Sequence, residues 1–201
     1  MLAAIAAASI TVTVAPSSTE IVLYAADAIS VYGTWSRVAD TTAAGGAKLW
    51  NADKGAAKVT IALASPTNYF EMTFIAQAGI PYHLWMRGKA DKNNWANDSV
   101  YAQFSGSVDA SGAARYRIGT TAATVYSVED GTNAGVSNWG WNDDSYDGIA
   151  APIYFATSGP QTIRVQVRED GLAIDQMVLS SGTYLNGSPG AFKNDTMILP
   201  R

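Results

Sequence analysis

The sequence predicts an all-β protein, an antiparallel two-sheet β-sandwich of the jelly-roll, galactose-binding-like type. Short segments rich in Val, Ile, Tyr, Phe and Thr recur between Gly, Pro, Asn and Asp residues, as is typical of strands joined by turns. No window shows apolar residues at helical spacing together with helix caps. Many short strands within 201 residues therefore favour one sandwich with a single core.

Nine segments carry the strand pattern, namely 20–35, 58–63, 69–77, 82–90, 99–108, 115–120, 153–157, 161–170 and 173–180. Alternation along residues 82–90 places His83, Trp85 and Arg87 on the face opposite the core. A sheet face with an indole beside an arginine either binds a ligand or covers its own strand. The pattern leaves both alternatives open.

Residues 1–19 are interpreted separately from the domain at 20–201. They begin apolar and Ala-rich, but no Lys or Arg precedes the apolar run, so the charged region of a secretory signal is missing. The alternating "SITVTV" before Pro16 favours the last strand of a preceding domain followed by a linker. A truncated signal remnant is the alternative.

Composition excludes several classes of partner. The formal net charge is −4, with 13 basic and 17 acidic residues, which argues against a nucleic-acid surface or an anionic membrane surface. The apolar run near the N-terminus is too short to insert into a bilayer. The chain has no cysteine, which excludes disulfides, thiol catalysis and Cys-ligated zinc.

The chain also lacks a pattern for catalysis. His83 is its one histidine, and neither a G-x-S-x-G elbow nor a P-loop is present. Acids occur as adjacent pairs, at 129–130, 143–144 and 169–170, whereas glycosidases place two carboxyl groups roughly 5–10 Å apart across a substrate. We therefore expect that the chain is not an enzyme.

The stretch "NWGWNDDSYDG" at 138–148 combines aromatic rings with amides and carboxylates, and "KADKNNWANDSVY" at 89–101 repeats this combination. Flat rings stack on the apolar faces of sugars, and polar side chains bind the hydroxyl groups. Of the indoles of Trp139 and Trp141, one is expected to anchor the loop and the other to face a ligand. The predicted glycan-binding residues are Arg87, Trp95, Asn97, Trp139, Trp141, Asn142, Asp143, Tyr146 and Asp147.

Residues 20–181 resemble the galactose-binding-like sandwich of family 6 and family 35 carbohydrate-binding modules. The resemblance lies in "GTWSRVADTTAAGGAKLWN", "YFEMTFIAQAGIPYHLWMRGKA", "NDSVYAQFSG" and "GPQTIRVQVREDGLAIDQMVLS". It implies a sugar site among the loops at one end of the sandwich, for which the insertions 88–98 and 126–150 are the candidates. Such modules are appended to secreted bacterial enzymes and surface proteins.

The resemblance also implies a calcium ion, held in the family by the acidic residue at Asp175 and by glutamates of the opening strand. Here Tyr24 to Asp27 replace those glutamates, so Asp27 is the one acid near that position. Asp27 and Asp175 are thus the predicted metal ligands, and the loop 142–147 is an alternative calcium site whose spacing does not match an EF-hand.

These patterns predict a non-catalytic glycan-binding module of a larger extracellular or cell-surface protein. Its expected partners are a poly- or oligosaccharide and neighbouring domains of the same polypeptide. The alternative is a structural or adhesive subunit of a surface protein or filament. Exposed rings beside amides distinguish the first function, and rings buried at a contact distinguish the second.

Overall fold

The computed structural model describes residues 20–129 and 136–201, and in these ranges the chain is an all-β sandwich, which confirms the predicted fold class. The helices in these ranges are single 3-10 turns, and none of them is long and apolar enough to span a membrane. The predicted linker at 1–19 lies outside the described residues.

The strands are β1 Ile21–Tyr24, β2 Ser30–Val31, β3 Trp35–Ala39, β4 Ala47–Asn51, β5 Tyr69–Ala76, β6 His83–Ala90, β7 Ser99–Phe104, β8 Ser107–Val108, β9 Thr124–Ser127, β10 Gly140–Asn142, β11 Tyr154–Phe155, β12 Gly159–Val167 and β13 Leu172–Ser180. The 3-10 turns are Ala25–Asp27, Ala44–Gly46, Asp91–Asn93 and Trp95–Asn97.

Two antiparallel sheets form the sandwich. Sheet A has the order β10-β6-β13-β4-β3, and β1 also pairs with β13; sheet B has the order β2-β5-β12-β7-β9. Strands β8 and β11 pair separately. Antiparallel pairing with crossovers between the two sheets is the arrangement that the strand spacing predicted.

The core lies between the sheets and follows the alternation of the strands. Along β5, Phe70, Met72 and Phe74 are buried against sheet A, while Thr73 and Ile75 point to solvent. Each fully buried apolar side chain of this kind contributes about 1.5–3 kcal/mol to folding.

The outer face of sheet A is not solvated, because the C-terminal segment, residues 184–201, crosses it. Trp85, Trp141 and Val178 form a second apolar cluster there with Leu199 of that segment. The amide of Gln176 holds the same segment through two hydrogen bonds to the backbone of Leu199, of 2.7 and 2.9 Å. The side chains on the outer face of β6 are therefore packed under the C-terminal segment and do not form an open binding surface.

A loop covers part of the outer face of sheet B in a similar way. Residues 58–63, predicted as a strand, are loop; the N–H of Val59 donates to the carbonyl of Arg168 at 2.8 Å, and other backbone groups of the loop bond to side chains of sheet B. Gln166 Oε1 accepts from the N–H of Leu63 at 2.8 Å, and the Tyr101 hydroxyl donates to the carbonyl of Val59 at 2.9 Å. The predicted strand at 115–120 is also wrong, since Arg117 makes only an isolated bridge with Phe104 of β7.

Candidate functional site

The indoles of the 138–148 stretch are both buried, so the prediction that one of them faces a ligand is wrong. Trp139 retains 3% of its surface and Trp141 retains 0%. Trp141 Nε1 donates to the carbonyl of Met197 at 3.1 Å, and Trp139 Nε1 donates to Thr42 Oγ1 at 2.9 Å. The stretch contacts other parts of its own chain, above all the C-terminal segment.

Gly140 is what lets the C-terminal segment come so close. A Cβ atom at Gly140 would lie 1.8 Å from the carbonyl oxygen of Phe192. The N–H of Trp141 donates to the carbonyl of Ala191 at 3.0 Å. Asn142 Nδ2 donates to the carbonyl of Phe192 at 3.2 Å, and the Asn142 side chain is buried. Asn142 therefore holds the segment and does not contact a ligand.

Arg87 is also structural. Its side chain is 1% exposed and is bound to the carboxylate of Asp175, which is 0% exposed. The Arg87 guanidinium lies 4.9 Å from the centre of the Trp139 ring. It also donates to the carbonyl of Asp195 at 3.2 Å, so it is closed off on the side of the C-terminal segment.

Asp175 is buried and paired with a side chain and a backbone N–H group. It lies at a bulge in β13, between Ile174 and Gln176, where the pairing register with β6 shifts. Its Oδ2 accepts from Arg87 and, at 2.7 Å, from the N–H of Ala44. Burial raises its pKa to about 6, although the charge of Arg87 acts in the opposite direction.

The predicted calcium ligands do not fit a calcium site. Arg201 binds the carboxylate of Asp27 at 2.9–3.0 Å, and Arg87 binds that of Asp175. Asp175 Oδ1 is buried without a partner, but calcium takes six to eight oxygen ligands. Within residues 20–129 and 136–201, neither acid belongs to a group of three side chains that could hold a metal.

One such group does exist in the described ranges, and it includes part of the alternative calcium loop. Ligand atoms of His83, Asp143 and Asp144 lie within 4.8 Å of one another. Asp143 already accepts from His83 Nε2 at 2.8 Å and from the N–H groups of Ser145 and Ala150 at 2.9 Å each. Calcium prefers oxygen ligands to imidazole nitrogen, so this group does not suit calcium. Asp143 is also buried, so the prediction that it contacts a glycan is wrong.

Two further predicted residues lie outside the site. Asn97 is buried, and its amide donates to Asp53 and to the carbonyl of Asp91 at 3.2 Å each. Asp147 is exposed, and its carbonyl accepts from Ser145 Oγ at 2.6 Å. Asn97 therefore fixes the loop that presents Trp95, and Asp147 belongs to the turn that presents Tyr146.

Trp95 and Tyr146 do come together, in a cleft of about 380 Å³ at one end of the sandwich. Trp95 is 67% exposed and Tyr146 is 51% exposed. Trp95 comes from the loop after β6 and Tyr146 from the loop after β10, as the resemblance implied. We call this cavity the aromatic cleft; its lining is Lys58, Trp95, Asp98, Val125, Ser127, Glu129, Asp144, Ser145, Tyr146, Arg168 and Glu169.

Charged residues that the sequence did not single out as ligands line this cleft. Burial raises the pKa of Asp98 to about 7, and the hydrogen bond and the negative charge of Glu169 act in the same direction. For Glu169, burial is outweighed by hydrogen bonds from Lys58, Ser99 and Asp98, which lower its pKa. The sequence signals for them were the polar stretch at 89–101, which contains Asp98, and the adjacent acids at 169–170. The two acids therefore titrate as a pair, in which Asp98 keeps its proton to a higher pH than Glu169 does.

A second cavity, of about 440 Å³, contains Trp139 and Arg87 together with Lys89. Its lining also includes Asn194, Asp195 and other residues of the C-terminal segment. Because Trp139 is 3% exposed, it offers no open ring face on which a sugar can stack. The aromatic cleft is thus the better candidate for a binding site.

No protein-family model matches the sequence, and a search of curated proteins found no match. The chain is similar to a solved β-(1,4)-mannanase of the GH26-CBM35 type from Podospora anserina, with a TM-score of 0.50 and 14% identity. That match covers 82% of this chain and 28% of the length of the mannanase chain. The likeness shows the sandwich fold.

Two solved carbohydrate-binding modules are also similar to the chain over most of its length. The C-terminal CBM6 of a laminarinase from Zobellia galactanivorans has a TM-score of 0.45 and 12% identity, covering 81% of this chain and 99% of the module. A family 35 module from Clostridium thermocellum has a TM-score of 0.40 and 15% identity, with coverage of 79% and 97%.

Proposed function

We propose that the chain is a glycan-binding module and that it binds sugar in the aromatic cleft. The observation that carries this proposal is the pairing of two exposed rings, those of Trp95 and Tyr146, over a polar cleft of about 380 Å³. Large exposed rings are costly in water, and sugar-binding sites use them as stacking surfaces. Polar groups beside the rings can bind the hydroxyl groups of the sugar.

The covering of the sheet faces supports this location. The C-terminal segment lies on the outer face of sheet A, where Leu199 packs on Trp85 and Trp141. The loop at 58–63 is bonded to Tyr101 and Gln166 on the outer face of sheet B. A polysaccharide chain laid along either face would have to displace these segments, whereas the aromatic cleft is open.

We propose that the module is not catalytic. His83 is buried and bound to Asp143, so it is removed from the cleft. Asp98 and Glu169 hydrogen-bond to each other, and carboxyl groups in contact cannot flank a glycosidic bond from opposite sides. The sugar is therefore held and released unchanged.

We also propose that the module belongs to a larger extracellular or cell-surface protein, as the alternating residues before Pro16 indicated. The alternative, an adhesive subunit, would use Trp139 and Trp141 against a neighbouring molecule. Trp141 is instead covered by the C-terminal segment of the same chain, and Trp139 is buried against Ala43 and Ala173. This favours the glycan-binding function.

A glycan array with the whole chain, followed by calorimetry with the retained oligosaccharide, tests the proposal. We expect binding on the order of micromolar to millimolar, since stacking and a few hydrogen bonds act on an open surface. Trp95→Ala and Tyr146→Ala should each lose more than about 1 kcal/mol of binding. Phe192→Ala removes an exposed ring outside the cleft and should bind like the unaltered chain. Retention of no glycan, or equal affinity of all these variants, would refute the proposal.

A further inference from the structure

We propose that the aromatic cleft prefers sugars that carry a positive charge, that is, residues of a 2-amino-2-deoxy hexose with a free ammonium group, over neutral and acidic sugars. This inference rests on the proposed glycan-binding function and specifies which class of sugar the cleft binds. The rings of Trp95 and Tyr146 define the cleft, and the charges that line it determine which sugar it selects.

Both basic residues of the cleft lie beside one of its acids, Glu169. Lys58 Nζ lies 2.8 Å from Glu169 Oε1, and the guanidinium of Arg168 lies 3.6 Å from Glu169 Oε2. Both basic residues that line the cleft are thus committed to the same carboxylate. Neither is free to attract the carboxylate of an acidic sugar.

Three other acids of the cleft, Asp98, Glu129 and Asp144, have no basic partner among the described residues. Asp98 accepts from the Ser127 hydroxyl at 3.0 Å, and Asp144 accepts from the Thr124 hydroxyl. Residues 1–19 and 130–135 contain no Lys or Arg, so those segments cannot supply one. Even with Asp98 protonated, the three carboxylates of Glu129, Asp144 and Glu169 outnumber the two basic side chains that line the cleft, so the cleft keeps an excess of negative charge.

Burial of these acids makes a cationic ligand more favourable. Asp98 is only 4% exposed, and burial raises the pKa of Asp98 and of Asp144. An ammonium group that binds beside a buried carboxyl group favours the ionised form of that group and supplies the positive charge that it is missing as a partner. The ring faces of Trp95 and Tyr146 also attract ammonium groups through their π electrons.

A metal ion fits this charge less well. Among the described residues, the group that could hold one consists of His83, Asp143 and Asp144, and only the last of these lines the cleft. The acids of the cleft are therefore too far apart to surround one small ion. An ammonium group on a sugar ring needs only one or two carboxylates, while the ring stacks on Trp95.

Two oligosaccharides of the same length test the inference: β-1,4-linked glucosamine and its fully N-acetylated form, which is neutral. They are titrated into the whole chain at low salt and at neutral pH, where a fraction of the amino groups is still protonated and the cleft keeps more of its negative charge than it does in acid. We expect the amino form to bind about fivefold or more tightly, and this advantage to disappear at high salt. Glu129→Gln should reduce the advantage, whereas Asp27→Asn, which makes the same change of net charge outside the cleft, should leave it unchanged.

Equal affinity for the two oligosaccharides would overturn the charge preference, and so would an advantage that Asp27→Asn reduces as much as Glu129→Gln does. If Trp95→Ala still abolished binding in that case, the proposed glycan-binding function would stand. Should neither oligosaccharide bind, and the glycan array find no other ligand, both the inference and the proposed function would fail.

Discussion

The guanidinium of Arg87 and the carboxylate of Asp175 form an ion pair from which water is excluded on both sides, with exposures of 1% and 0%. The pair links β6 to the bulge in β13, where the N–H of Ala44 also donates to Asp175 and the carbonyl of Asp195 also accepts from Arg87. It occupies the position at which the family resemblance implied a cation. A positive side chain thus fills the role that calcium was expected to have.

Removal of one partner of this pair should be strongly destabilising. We expect Asp175→Ala to lower the free energy of unfolding by about 3–5 kcal/mol, because the charge of Arg87 would remain buried and unpaired. Arg87→Met combined with Asp175→Ala should cost less than the sum of the two single changes. Urea unfolding measures all three. A cost below about 1 kcal/mol for Asp175→Ala would contradict the account of the pair.

The close approach of the C-terminal segment to β10 gives a second prediction. Gly140→Ala should destabilise the protein, because the new Cβ atom would collide with the carbonyl of Phe192, 1.8 Å away. Gly187→Ala is the matched control, since a Cβ atom there meets nothing within 4 Å. We expect a lower melting temperature for Gly140→Ala and little change for Gly187→Ala. Equal melting temperatures would show that the segment does not pack on Gly140.

Substitutions of the tryptophans in the two loops should affect stability and glycan binding differently. Trp141→Ala removes a fully buried indole, so we expect it to lose about 3–5 kcal/mol of stability. Trp95→Ala removes an exposed ring and should leave the melting temperature nearly unchanged while it weakens glycan binding. Calorimetry below the melting temperature of each variant measures both effects. The assignment is wrong if Trp141→Ala remains folded, keeps its stability and loses the glycan.

The proton on Asp98 predicts how stability depends on pH. Its pKa rises from 3.8 in the unfolded chain to about 7 in the folded protein, so the folded state holds the proton more tightly. The stability that this provides is fully present below about pH 3.8 and is lost as the pH rises through about 7.

Asp98→Asn, which stays neutral, should therefore lose less stability than the unaltered chain as the pH rises from about 4 to 7. Asp27→Asn is the control, because Asp27 is exposed and lies outside the cleft. Urea unfolding at a series of pH values compares the three proteins. Parallel curves for Asp98→Asn and the unaltered chain would refute the shifted pKa.

The fold could be predicted from the sequence because alternation is a local signal. Phe70, Met72 and Phe74 alternate with polar or exposed positions, and β5 follows this pattern. The segment at 58–63 is also rich in apolar and β-branched residues but is a loop, and its backbone bonds to side chains of sheet B and to the carbonyl of Arg168. Short strands such as β10 were missed, because three residues around a glycine carry too little pattern.

The site was predicted in part for a related reason. Residue type indicated that Trp95 and Tyr146 suit a sugar site, and both line the aromatic cleft. Residue type gave the same indication for Trp139 and Trp141, but their burial depends on distant parts of the chain: Trp141 bonds to Met197, 56 residues further on, and Trp139 bonds to Thr42, 97 residues earlier. Asp98 and Glu169 come together only in the folded sheet, so their hydrogen bond could not be predicted from their spacing in the sequence.

The indole N–H signals of the six tryptophans in an NMR titration with the glycan that the array selects test the central claim most directly. We predict that the signal of Trp95, identified by its loss in Trp95→Ala, moves most as the glycan saturates the protein. The signals of the buried Trp139 and Trp141 should move little. A large shift at Trp139 or Trp141 with none at Trp95 would contradict binding in the aromatic cleft.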